Sequence, residues 1–259
     1  MRNYNWEGKE ERAAAAIAHT QKMDSRYKNE IQECVNKSKI YGVDFVGPKV
    51  EGQIPHGVIV AMDSVTAAFY FEEGKTAILN FASFKNPGGM FIGGSRAQEE
   101  CLCHESFLYN VLQQFWDEYY HWNNDHLNRA LYYNRAIYSP NVIFEHDLRK
   151  SKFDVITCAA PNKKAAQKYQ QVSEEENHKV LSDRIRFVLD VAQDNNVDTL
   201  ILGAYGCGVF GQDATLVARI FKTLLPLYNF KKIIFAIPQG NGNFEKFVEV
   251  WKPKKEVEK

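Results

Sequence analysis

From His56 onward, short runs of β-branched and aliphatic residues alternate with amphipathic stretches of helical length, the pattern of an α/β protein. The apolar runs predict strands at Val58–Ala61, Thr76–Phe81, Val142–Phe144, Val155–Ala159, Thr199–Gly203 and Lys232–Ile237. Between them, helices are predicted at Ser64–Glu73, Ala97–Trp116, Glu174–Asn195, Asp213–Tyr228 and Asn243–Trp251. Ahead of this alternation, residues 8–36 are rich in Ala, Glu, Lys and Gln, which predicts two helices meeting near Asp24–Ser25. The stretch Asp117–Arg135, crowded with Tyr, Trp, Asn and His, follows neither period. Core packing is the favoured role for its aromatics over stacking on a base. The expected organisation is a helical extension over residues 1–45, one domain over 46–251, and a charged tail over 252–259.

Composition narrows the function. A chain of 259 residues, 45% of them hydrophobic, can bury one substantial core. Lys+Arg and Asp+Glu both number 32, so no global field attracts polyanions and diffuse duplex binding is not expected. An anionic ligand would instead be held by aimed backbone N–H groups and a few local cations in a defined pocket. The five cysteines, Cys34, Cys101, Cys103, Cys158 and Cys207, have the spacing of neither a zinc ribbon nor a disulfide framework. Cys101, Cys103 and His104 lie on a predicted helix that would send the two thiols to opposite sides, so no metal is expected. The apolar run Ala13–Ala18 is too short for a signal peptide, and nothing approaches a membrane span. The expectation is a soluble cytoplasmic protein.

Two glycine-rich loops each follow a predicted strand and precede a predicted helix. The first runs from Asn80 to Gly94 and contains Asn86-Pro87-Gly88-Gly89-Met90; the second runs from Gly203 to Gly211. Glycines allow close backbone approach, so two such loops at neighbouring strand ends can hold a diphosphate from both sides. Gly206-Cys207-Gly208-Val209-Phe210-Gly211 also satisfies the dinucleotide-binding spacing G-x-G-x-x-G. That reading fails, because the next strand ends in Pro238-Gln239 with no acidic residue for a ribose hydroxyl and too little chain follows.

Asn80-Phe81-Ala82-Ser83, Asn86-Pro87-Gly88-Gly89 and Gly94-Ser95-Arg96-Ala97-Gln98-Glu99-Glu100 together resemble the signature of bacterial-type poly(ADP-ribose) glycohydrolases, in which a glycine triplet precedes Gln-Glu-Glu. Gly203–Gly211 is similar to that family's second phosphate loop, Ile156–Asn162 to another of its segments, and Arg12–Gly42 to its helical N-terminal region. The resemblance implies a three-layer α/β/α macrodomain with a mixed central sheet. It implies Glu100 as catalytic acid/base, with Glu99 as its positioning partner. Ligand contacts are implied at Asn80, Gly88, Gly89, Met90, Gln98, Gly206, Cys207, Gly208, Val209 and Phe210. Met90 stands where the family usually has its third glycine. In a left-handed conformation it would be strained; with ordinary dihedrals it would lie over the ligand as an apolar flap.

Cleavage of a ribosyl O-glycosidic bond passes through an oxocarbenium-like state and needs a proton delivered to the leaving oxygen. Glu99 and Glu100 are adjacent in a first helical turn, rotated by roughly 100° from each other, so they cannot share one task. The bland alternative is that acidic residues at a helix start complement its dipole. Bland alternatives exist elsewhere too: Phe210 as core, Asn80 as a strand-end cap, and Lys163, Lys164 and Lys168 as a solvated face. Three functions follow in order: an ADP-ribose glycohydrolase, a non-catalytic reader of ADP-ribose, and a nucleotide-independent interaction domain. The partners implied are ADP-ribose, poly(ADP-ribose), or ADP-ribosylated protein or nucleic acid. The protein is expected to act as a monomer without metal or organic cofactor.

Overall fold

The computed structural model describes residues 8–252. In chain order the elements are α1 (Lys9–Lys37), β1 (Lys39–Tyr41), β2 (His56–Val60), α2 (Ser64–Phe71), β3 (Thr76–Phe81), α3 (Gln98–His104), α4 (Leu108–Leu112), α5 (Trp122–Asp125), β4 (Ala136–His146) and β5 (Arg149–Cys158). There follow α6 (Lys163–Gln170), α7 (Glu174–Asp194), β6 (Thr199–Leu202), α8 (Ala214–Leu224), β7 (Lys232–Ala236) and α9 (Asn243–Trp251).

The strands form one seven-stranded sheet in the order β1-β4-β5-β3-β6-β7-β2. Strands β5, β3, β6, β7 and β2 run parallel, and β1 and β4 close one side antiparallel, so the sheet is mixed. Alternate residues of each strand feed two cores. Ala77, Leu79, Leu200, Leu202, Ile233 and Phe235 pack with α7, α8 and α9 on one face. Ile78, Ile201 and Ile234 pack with α1, α2, α3 and α4 on the other. This is the period-2 alternation that buries a sheet between two helical layers, and the expected three-layer α/β/α architecture is what the chain adopts.

Differences from the sequence reading have local causes. The N-terminal helices are joined in α1, with the break at Tyr27 (φ −126°, ψ 27°) a few residues beyond Asp24–Ser25. Ala16, Met23, Tyr27, Ile31 and Cys34 form a buried stripe on α1 that belongs to the domain's own core. The helix expected over Ala97–Trp116 is interrupted after His104. There the Ser106 hydroxyl donates to the Leu102 carbonyl and accepts from the Leu108 N–H, replacing helical bonds. Strand β4 is longer than expected because Asn141 (φ 56°) sits in a register shift between Ser139 and Val142, which hides the alternation. The tail over 252–259 lies outside the described residues except for Lys252, as do residues 1–7 of the extension.

Candidate active site

Strands β3 and β6 are parallel neighbours, so the two glycine loops leave the sheet side by side. Strand β5 ends next to β3, bringing Ala159 and Ala160 to the same edge. These ends, with that of β7, enclose a cavity of about 520 Å³ lined by both loops, Ala160, Pro238 and the start of α3. A cleft of this size at the carboxyl ends of parallel strands suits a nucleotide-sized ligand.

Glu99 and Glu100 form part of its wall, and both are buried. The Glu99 carboxylate accepts from Asn80 Nδ2 at 3.1 Å and from the Ser83 N–H at 2.6 Å. Burial pushes this carboxyl up to about 8; the bonds from Ser83 and Asn80 oppose the rise, and the neighbouring Glu100 adds to it. The raised carboxyl therefore belongs to Glu99, the glutamate expected to position substrate. Glu100 Oε1 accepts from the Met90 N–H at 2.9 Å and Oε2 from the Ala97 N–H at 2.8 Å. The bond to Ala97 is half of a capping box, so Glu100 also closes the start of its own helix.

Gly89 lies against both acids. It has φ +62°, and a Cβ there would stand 2.6 Å from Glu100 Oε1 and 3.0 Å from Glu99 Oε2. The two carboxyls thus flank one point, and only a glycine fits between them and the cavity. Gly88 backs onto Tyr109 and Cys103. Met90 is absent from the left-handed residues and takes ordinary dihedrals. Its side chain is 52% exposed, lines the cavity and folds back over Gly93.

Gln98 is a stitch between α3 and β3. Its Oε1 accepts from the Phe81 N–H at 2.9 Å, while Nε2 donates to the Leu79 carbonyl at 2.9 Å and to Ser64 Oγ at 3.1 Å. Asn80 is buried, held by Glu99 and by Thr157 Oγ1 at 3.3 Å. Its Oδ1 is left without a partner among the described residues.

In the second loop, the N–H groups of Gly206, Gly208, Val209 and Phe210 donate to no acceptor among the described residues. Asp213 caps the start of α8 through the Thr215 and Leu216 N–H groups, so the loop amides, and not that helix end, are free for an anion. Gly206, Gly208, Val209 and Phe210 line the cavity. Cys207 packs against the core instead, where burial raises its thiol to about 12. Phe210 meets Tyr132 edge-on at 6.1 Å between centroids, Tyr132 stacks on Phe84 at 3.8 Å, and the Phe210 carbonyl accepts from the Lys164 N–H at 3.0 Å. Phe210 is therefore both packed and cavity-lining.

Of the remaining candidates, Lys163 pairs with Glu174 at 2.9 Å, and Lys164 and Lys168 are exposed. Tyr119 and Tyr120 are fully buried in the core, as expected for the aromatic stretch, whereas Trp116 and Tyr133 at its ends are exposed and depart from that expectation. Sequence reasoning passed over Asp63, Ser64, Arg96, Pro238, Asn241 and Asn243, which line the cavity. Most lie just beyond the ends of β2 and β7, and the rule that α/β sites gather at carboxyl strand ends is the signal that would have found them. Among the described residues no cluster of His, Cys, Asp and Glu could hold a metal, and no helix is long and apolar enough to cross a membrane.

Residues 10–147, just over half of the chain, match the family described as the microbial-type PARG catalytic domain. Among solved structures, the chain is similar to the poly(ADP-ribose) glycohydrolase of Thermomonospora curvata bound to the inhibitor ADP-HPD. The identity is 28% and the TM-score 0.81, over 93% of this chain and 99% of that one. It is also similar to the poly(ADP-ribose) glycohydrolase of Deinococcus radiodurans in complex with ADP-ribose, at 28% identity and a TM-score of 0.79, over 86% and 97% of the two chains. No curated protein matches the sequence significantly.

Proposed function

The chain belongs to the microbial-type poly(ADP-ribose) glycohydrolase catalytic-domain family, and from that premise we propose that it binds ADP-ribose and hydrolyses the O-glycosidic bond joining it to a polymer or a modified target. The observation that carries this reading is the pair of buried carboxyls, Glu99 and Glu100, meeting around Gly89 on the wall of a cleft whose opposite loop offers amides unclaimed among the described residues.

In this account the diphosphate lies against the N–H groups of Gly206, Gly208, Val209 and Phe210, with the terminal ribose against Phe210 and the glutamates. With its carboxyl raised to about 8, Glu99 holds a proton at neutral pH. Glu100, as general acid, gives a proton to the leaving oxygen as the anomeric C–O bond breaks, and the target departs as its hydroxyl compound. The Glu100 carboxylate then takes a proton from a water whose oxygen bonds to the anomeric carbon, which restores the acid. Glu99, itself held by Asn80, orients the ribose, and the bound diphosphate offsets the positive charge of the transition state. No metal or organic cofactor enters these steps.

A formal net charge of zero favours reading a chain end over tracking a long polyanion. The reading also has the protein acting as a monomer, and in a reducing, cytoplasmic setting, the latter supported by its unpaired cysteines. The deciding experiment offers purified poly(ADP-ribose), mono-ADP-ribosylated protein and mono-ADP-ribosylated RNA in parallel and measures free ADP-ribose. Release from the polymer is expected; release from none of the three would sink the proposal.

A further inference from the structure

The second glycine pair of the first loop, Gly93-Gly94, is not part of the cavity lining; it receives α1. Arg12 Nε donates to the Gly94 carbonyl at 2.7 Å, a contact spanning 82 positions of sequence. Gly94 has φ +77°, and a Cβ there would stand 2.2 Å from the Lys9 carbonyl oxygen and 3.1 Å from the Ala13 nitrogen. The helix backbone therefore lies directly on the loop, and only a residue without a side chain admits it.

From that contact a chain of backbone bonds runs to the acids. The Ser95 N–H donates to the Met90 carbonyl at 3.1 Å and the Gly94 N–H to the Phe91 carbonyl at 2.9 Å. The Met90 N–H holds Glu100 Oε1 at 2.9 Å. Farther along, α1 is fixed to the segment after α3 by His19 Nε2 against the Ser106 carbonyl at 2.9 Å and by Asn110 Nδ2 donating to the Thr20 carbonyl at 3.0 Å. The loop that orients Glu100 is thus gripped from outside by a helix that is itself anchored to the body of the domain.

We infer that Arg12 is a positioning residue for hydrolysis, clamping the Met90–Ala97 turn through the Gly94 carbonyl so that the Met90 and Ala97 N–H groups hold the Glu100 carboxylate in its working orientation. The inference rests on the glycohydrolase reading for its kinetic readout, while the clamp itself is structural. A guanidinium is suited to the task because it stays charged at all working pH values and its Nε donor is directional.

The test compares wild type with Arg12→Ala, Arg12→Lys and Gly94→Ala for kcat, KM, ADP-ribose affinity, melting temperature and amide exchange over residues 88–97. For Arg12→Ala, kcat is expected to fall about 10- to 100-fold while KM and ADP-ribose Kd change by less than about threefold, the signature of a misplaced acid in an intact pocket. The melting temperature should drop by no more than about 4 °C. Arg12→Lys should recover part of the loss, Gly94→Ala should lower kcat likewise but with a larger fall in melting temperature because its Cβ meets the α1 backbone, and exchange at Met90 and Ala97 should quicken in both deleterious variants. An unchanged kcat in Arg12→Ala would overturn the clamp. So would a joint collapse of kcat, Kd and melting temperature that Lys does not rescue, because it would mark a merely structural role. A wild-type protein that releases no ADP-ribose would refute the glycohydrolase reading, and the clamp would then stand or fall on amide exchange alone: unaltered exchange in Arg12→Ala overturns it.

Discussion

The Met90 N–H donates to Glu100 Oε1 at 2.9 Å. The residue that departs from the family's glycine triplet thus holds the Glu100 carboxylate through its backbone, which any residue but proline supplies, and its side chain lines the cavity. Met90→Gly is accordingly expected to keep kcat within a few-fold of wild type. It should lower stability by about 0.5–1 kcal/mol, the entropic cost of glycine at an ordinary conformation. Thermal melts alongside initial rates check both halves; a gain in kcat of tenfold or more would mean that the side chain obstructs the cleft.

Gly89 is the position where substitution should be most selective. Its Cβ would meet the two carboxyls, and its φ of +62° is unfavourable for any other residue. Gly89→Ala should cost about 1–2 kcal/mol of stability from the backbone alone. The kcat should fall about 100-fold or more, because the acids must move to make room. Equilibrium denaturation and steady-state kinetics separate the two effects.

Glu99 makes a prediction about pH. Its folded pKa, raised to about 8, exceeds the ordinary carboxylate value of 4.5. Between these values the unfolded chain releases the proton while the folded protein retains it, so wild-type stability falls as pH rises from 4.5 to 8. The penalty is absent below 4.5 and amounts to a few kcal/mol when complete. Glu99→Gln, which removes the titrating carboxyl, should flatten that slope. Denaturant melts at pH 5 and pH 8 test this: the stability of the variant relative to wild type must rise between them.

Gln98 bonds to β3 and Ser64 through both ends of its amide. Gln98→Ala leaves a buried strand N–H and carbonyl unmet and should destabilise the protein by about 1–3 kcal/mol. At temperatures where the variant is fully folded, ADP-ribose affinity measured by calorimetry should stay within a few-fold. A hundredfold loss of affinity without loss of stability would instead make Gln98 a direct ligand contact.

The parallel strands were legible because each is a continuous apolar run ended by a loop; Thr76–Phe81 has the expected bounds. The short β1 was not, since Lys39-Ile40-Tyr41 is too brief to display a period. Helix α6 was read only as a lysine-bearing face because Ala166 is its one buried apolar residue. At the site, the glycine loops and the Gln-Glu-Glu run were visible as local sequence. Contacts made across the fold were not: neither Arg12 on Gly94 nor Ser83 on Glu99 leaves a mark in spacing. Which glutamate is raised depends on burial and bonding partners, and so is a property of the folded site alone.

The most direct test of the account is single-turnover release of ADP-ribose from poly(ADP-ribose) by wild type and by Glu100→Gln, with ADP-ribose binding measured for both. Loss of the acid should slow release by about 10²–10⁴-fold, with binding retained. Release by Glu100→Gln at the wild-type rate would contradict the assignment of Glu100 as the proton donor.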